Sequence, residues 1–123
     1  MPAHSVGGSQ PHQAASVISE ELSLHAEART LSSACAAGMD AVAEAARLVR
    51  SGKTDLVIAG GTDAPVVPLT FAGMEKAGLV SLRNDDPEHA SRPFDRDADS
   101  GVISEGSGMV IVENYEHALA RGA

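Results

Sequence analysis

"TLSSACAAGMDAVAEAARLVRSG", residues 30–52, contains the single cysteine of the chain. After Ala36 the polar residues are Asp40, Glu44, Arg47 and Arg50, at spacings of 4, 3 and 3. On an α-helix these fall on one narrow stripe. Every other position from Ala36 to Val49 is apolar or Gly, so the pattern predicts a helix buried over most of its circumference. Arg47 and Arg50 suit the negative end of that helix, and Gly52 is a helix stop. "TLSSA", residues 30–34, reads as a short buried strand. Cys35 therefore stands where strand gives way to helix.

Working outward, "DLVIAGG" (residues 55–61) is a continuous apolar run closed by two glycines. It predicts a central strand, with Gly60 and Gly61 allowing a sharp exit. "GMVIVEN" (residues 108–114) predicts a further strand, and Asn114 is placed to cap a last helix over "YEHALARG". Upstream, Ser9 and Pro11 mark a helix start, with an apolar face running to about Leu22. Residues 1–9 read as loop and "SLHAEAR" (residues 23–29) as a connector. Residues 62–107 are mostly irregular, apart from a short helix over Leu69–Ala77. The order strand, helix, strand, loop, strand, helix indicates an α/β chain. There is no internal repeat and no low-complexity segment.

The 123 residues are at most one ordinary domain. With no Trp, one Tyr and two Phe, the core material is Ala, Val, Leu and Ile, which suits helices packed closely on a sheet. A formal charge of −8 argues against nucleic acid and anionic membrane surfaces as partners. A lone Cys excludes an internal disulfide and a cysteine-rich zinc site, and a reducing compartment is the default. No apolar run approaches the roughly 18–20 residues that cross a bilayer. The start, "MPAHSVGGSQPHQAAS", has neither an apolar signal core nor an Arg-rich pattern. A soluble, cytoplasmic protein is expected.

A thiol at the start of a helix faces the unpaired N–H groups of the first turn. Their partial positive charge favours the thiolate, which is the nucleophilic form, and the same groups stabilise an oxyanion during acyl transfer. Ser32, Ser33, Ala34, Ala36, Ala37 and Gly38 are small enough to leave room for a substrate carbonyl. This is the logic of a nucleophile elbow, with sulfur in place of oxygen. On residue types alone, a small buried filler is the competing reading of Cys35.

"SSACAAGMDAVAEAARLVRSGKTDLVIAGGTDAPVVPLTFAGM" resembles the active-site segment of the β-ketoacyl synthases, the condensing enzymes of fatty-acid and polyketide synthesis. "SLRNDDPEHASRPFDRDADSGVISEGSGMVIVENYEHALARGA" resembles the segment that follows it. The likeness runs from about residue 30 to the end and, more weakly, back to about Gly8. It is carried by the Cys elbow, the "AGGTDA" strand end, and "RPFD" followed by "SEGSG". The resemblance implies a thiolase-like αβαβα layered fold with a mixed sheet and a buried helix after the nucleophile. It implies that Cys35 accepts an acyl group from a carrier-protein thioester. Decarboxylation of malonyl carrier protein then gives the carbanion that extends the chain by two carbons. The partners implied are acyl carrier protein, acyl and malonyl thioesters, and a second subunit in a homodimer; no cofactor or metal is assigned.

The family also uses two His and a Lys beside the Cys. His4, His12, His25, His89 and His117 fall in no matching motif, so none receives that role. The Gly-Pro pair that usually precedes the Cys strand is replaced by Ala26, Glu27 and Ala28. Residues 1–123 are accordingly expected to be a single partial domain, incomplete at both ends, from the N-terminal half of a synthase. A non-catalytic ketosynthase-like partner subunit, or a vestigial truncated protein, is the alternative. Association or aggregation of the isolated chain is expected. "DRDADSG" (residues 95–101) alternates acidic residues but has Ser100 and Gly106 where a calcium loop wants Gly and Glu. Glu105 reads as a structural hydrogen-bonding group and Asp63 as a local cap or turn residue. Phe71 and Met39 read as core or interface residues, with the lining of an acyl pocket as the alternative.

Overall fold

The computed structural model describes residues 10–123. The chain divides into two compact units. One runs through Thr62 and resumes over Ser107–Ala123, and the other is Asp63–Gly106.

In the first unit, helix α1 is Gln13–Glu21 and α2 is Ala37–Arg50. Strands β1 (Leu56–Asp63) and β2 (Gly106–Glu113) pair in a two-stranded sheet, and helix α4 (Tyr115–Ala120) follows. The Asn114 N–H donates to the Asp55 carbonyl at 2.8 Å, while Gly60 lies against Gly108 and Met109, so the strands run antiparallel. Ser9 lies outside the described residues; α1 begins after His12, with no side-chain cap.

Helix α2 ends as its sequence predicts. Gly52 takes φ +70°, its N–H reaches the Val49 carbonyl at 3.0 Å, and the Lys53 N–H reaches the Leu48 carbonyl at 3.2 Å. That pair of bonds is the Schellman closure, for which a residue without Cβ is the natural choice. The core of this unit is small: Ala45 and Val49 of α2 and Ala59 of β1 are buried. Helix α2 thus buries one side through Ala45 and Val49. Arg47 and Arg50 of the polar stripe are exposed as expected, but Met39 and Ala43 are exposed too, against the expectation that the rest of the circumference is covered.

Two expectations about strands are corrected. "TLSSA" does not form an extended strand; residues 30–32 are irregular, and Ser33 and Cys35 carry an isolated bridge on either side of Ala34. A strand exists by pairing, and among the described residues the sheet joins β1 to β2 alone. Gly60 and Gly61 do not end β1 but lie inside it. They serve close approach instead. A Cβ at Gly60 would stand 2.0 Å from the Gly108 carbonyl oxygen, and one at Gly61 would stand 3.3 Å from Gly38 Cα of α2. Three glycines therefore set the strand–strand and helix–strand spacing beside the Cys turn.

The second unit is mostly irregular, as expected. It holds helix α3 (Pro68–Lys76), a short 3₁₀ turn at Pro87–His89, and a bridge between Val80 and Gly101. Pro68 occupies the first turn of α3, where its missing N–H costs nothing, and Gly78 (φ +70°) closes the other end. Ala90 is the buried apolar residue of this unit. Arg83 and Ser81 both reach the Asp99 carboxylate, at 3.6 and 3.0 Å, and these contacts tie the charged loop together.

Candidate active site

Cys35 is exposed and lies two residues before α2, in a tight turn. The Ala37 N–H donates to the Ala34 carbonyl at 3.1 Å and the Ala36 N–H to the Ser33 carbonyl at 3.4 Å. Ala34 takes φ +56°, a left-handed conformation that a residue with a Cβ adopts at a cost of about 1 kcal/mol or more. This strain turns the chain sharply just before the thiol. Ala36 caps α2 without a side-chain hydrogen bond, and the Asp40 carboxylate lies in the first turn of the helix. The structure puts Cys35 at the exposed start of a helix, outside the packed interior.

Three features hold this turn. Gly38 packs on Gly61, which brings the first turn of α2 down onto β1. The Ser33 hydroxyl donates to the Asp40 carboxylate, linking the residue two before Cys35 to the first turn of the helix. Farther back, Arg29 bridges Glu27 at 2.6 Å and Glu44 at 3.2 Å, and Glu44 also holds Arg47 at 2.7 Å. The hydrogen bond from Arg47 holds the Glu44 carboxyl below its ordinary range. Arg29 does the same for Glu27, to which Lys53 adds a weaker contact at 3.5 Å. These exposed pairs contribute little stability each but lay residues 27–29 along the polar stripe of α2.

None of the described His residues takes part in the Cys35 turn. His12 precedes α1, and His25 is exposed in the connector. His89 pairs with Asp86 at 2.8 Å and His117 with Glu113 at 2.5 Å. His4 lies outside the described residues. Met39 and Phe71 are both exposed and fill no core. Glu105 is exposed too, and its carboxylate accepts the Val66 N–H at 3.3 Å, a structural bond of the kind expected. Asp63 is an exposed residue at the end of β1. Within "DRDADSG" the Asp95 carboxylate accepts the Asp97 N–H at 2.7 Å and Asp99 the Ser100 N–H at 2.8 Å. Among the described residues no group of three or more His, Cys, Asp or Glu is arranged to hold a metal ion.

Sequence reasoning did not single out two clusters. One is Ser33 with Asp40, whose only signal is a seven-residue separation across a turn. The other lies at the end of β2. Glu113 accepts two hydrogen bonds from Arg121, at 2.7 and 2.8 Å, and a third contact from His117. The Arg121 bonds, with His117 adding to them, lower its carboxyl to about 2 against an ordinary 4.5. The four-residue spacing of Glu113, His117 and Arg121 was the available signal.

Residues 2–118 match the family profile described as beta-ketoacyl synthase, N-terminal domain. A 3-oxoacyl-[acyl-carrier-protein] synthase 2 from Synechocystis sp. is 56% identical over 90 residues, covering 73% of this chain and 22% of the relative. Among solved structures, a beta-ketoacyl synthase from Burkholderia phymatum is 37% identical with a TM-score of 0.85, covering 93% of this chain and 28% of that one. The ketosynthase in a type II polyketide complex, an acyl-carrier protein with its ketosynthase bound to the hexaketide, overlays with a TM-score of 0.91 at 34% identity. That match covers 98% of this chain and 30% of that one. The chain thus spans between about a fifth and a third of the length of these relatives. The α/β, thiolase-like architecture expected from the resemblance agrees with these overlays. With a match over nearly its whole length and the Cys turn within it, this chain belongs to the β-ketoacyl synthase family, in the region of its N-terminal domain.

Proposed function

We propose that Cys35 is the acyl-accepting nucleophile of a β-ketoacyl synthase acting in fatty-acid or polyketide synthesis. The observation that supports this most is its position: an exposed thiol in a strained turn at the uncapped start of α2. The thiolate of Cys35 attacks the carbonyl of an acyl carrier-protein thioester. A new thioester forms on Sγ, and the carrier's thiol leaves and takes up a proton. Malonyl carrier protein then loses CO2, and the resulting carbanion attacks the Cys35 thioester. That step expels the Cys35 thiolate and leaves a β-ketoacyl carrier protein two carbons longer. The backbone N–H of Cys35 serves as half of the oxyanion site.

The carbanion step needs hydrogen-bond donors at the developing enolate oxygen. The resemblance assigns that task to a His pair, and the described His side chains belong to elements other than the Cys35 turn. On this reading residues 1–123 are one partial domain of a homodimeric, cytoplasmic enzyme whose partner is acyl carrier protein. The complex of a relative with its carrier protein supports that partner.

The test is intact-mass spectrometry of the chain after incubation with an acyl thioester, beside Cys35→Ala. One acyl group added to the parent chain and none to the variant is the expected result. An unmodified parent chain would contradict the reading and favour a non-catalytic ketosynthase-like subunit.

A further inference from the structure

We propose that Ser33 and Asp40 are positioning residues for Cys35, an inference that rests on reading Cys35 as the acyl acceptor. Their side chains are hydrogen-bonded to each other, with the Ser33 hydroxyl donating to the Asp40 carboxylate. The bond closes a loop of backbone that includes Cys35. Ser33 is the last residue before the left-handed Ala34, and Asp40 sits in the first turn of α2, where its own N–H reaches the Ala36 carbonyl at 3.0 Å. The pair thus joins the two arms that meet at Cys35.

Three physical points carry the assignment. Ala34 is held in a conformation it would leave if free, so something must over-determine the turn. Two backbone bonds within the turn contribute, but both anchor to residues 33 and 34 and neither reaches beyond Ala37. The Ser33–Asp40 bond is the side-chain link that ties the turn to the helix proper. The acid also suits its place, since a carboxylate in the first turn of a helix is favoured by the helix dipole. Finally, the hydroxyl is committed to Asp40, which fixes a flexible polar neighbour of the thiol in one orientation. Both residues are exposed, so the bond adds little to global stability; its effect falls on the geometry of the turn.

The experiment measures the rate at which an acyl thioester acylates Cys35 in the parent chain, Ser33→Ala, Asp40→Ala, the double variant and Ser33→Thr, with the melting temperature of each. Each Ala variant is expected to slow acylation by about three- to tenfold, the factor carried by one hydrogen bond. The double variant should be no slower than the worse single, because both remove the same bond. Ser33→Thr keeps the hydroxyl and should restore the parent rate, and melting temperatures should stay with the parent. Parent-like rates in both Ala variants overturn the assignment, as do losses that add or that track the melting temperature. A parent chain that is not acylated at all refutes the assignment of Cys35 instead, so the two failures are distinguishable.

Discussion

Replacing Gly60 by Ala tests the packing that sets the Cys turn on the sheet. A Cβ at position 60 would meet the Gly108 carbonyl oxygen at 2.0 Å, the Met109 sulfur at 2.6 Å and Met109 Cα at 2.8 Å. Two of these are backbone atoms of β2, so no side-chain rotation relieves the overlap. Restoring ordinary contact needs a shift of about 1.4 Å between strands that pair at roughly 4.8 Å, which breaks the ladder locally. Overpacking costs about 1–3 kcal/mol and each lost ladder bond about 1 kcal/mol. The reduced freedom of the unfolded chain returns about 0.4–1 kcal/mol. The net expectation is a loss of about 2–3 kcal/mol, equivalent to roughly 8–12 °C in melting temperature for a domain of this size. The assay is urea and thermal unfolding followed by circular dichroism, with Gly73→Ala as control. Gly73 lies within α3 and has nothing within 4 Å of its would-be Cβ, so Ala there should be neutral or stabilising by up to about 1 kcal/mol. A Gly60→Ala chain as stable as the parent would refute the close-approach account.

Three further outcomes follow. Asn114→Ala removes the oxygen that accepts the Glu116 and His117 N–H groups, and should destabilise the chain by about 1 kcal/mol and lower helicity in α4, read by hydrogen exchange. Because the Glu113 carboxyl is depressed in the folded chain, its contribution is present above the ordinary carboxylate range and is lost as pH falls from about 4.5 toward about 2. Glu113→Gln should therefore flatten acid unfolding in that window, and an unchanged profile would count against the Arg121 pairing. Leu69, Phe94 and Met39 are among many large apolar side chains left exposed, so light scattering should find the isolated chain associated; a monodisperse monomer would contradict this.

Sequence periodicity found α2, α3, both strands and the Asn114 cap because each is specified locally, by a polar stripe, a proline, an apolar run or a capping side chain. It failed where partners decide. "TLSSA" has strand composition, but extended structure there would need a neighbouring strand. Gly60 and Gly61 read as a turn from sequence, whereas their use is set by Gly108 and Gly38, far away in the chain. The location of Cys35 ahead of a helix was legible in the small residues around it. The left-handed Ala34 and the Ser33–Asp40 bond were not, since nothing in residue type demands either.

The most direct measurement is the rate at which a cysteine-directed condensing-enzyme inhibitor labels Cys35 in the folded chain and in the same chain unfolded in urea, at one pH. Faster labelling in the folded state is predicted, because only there does Cys35 stand ahead of a formed α2. Equal or slower labelling would mean the fold does not activate this thiol, and the nucleophile assignment would fall.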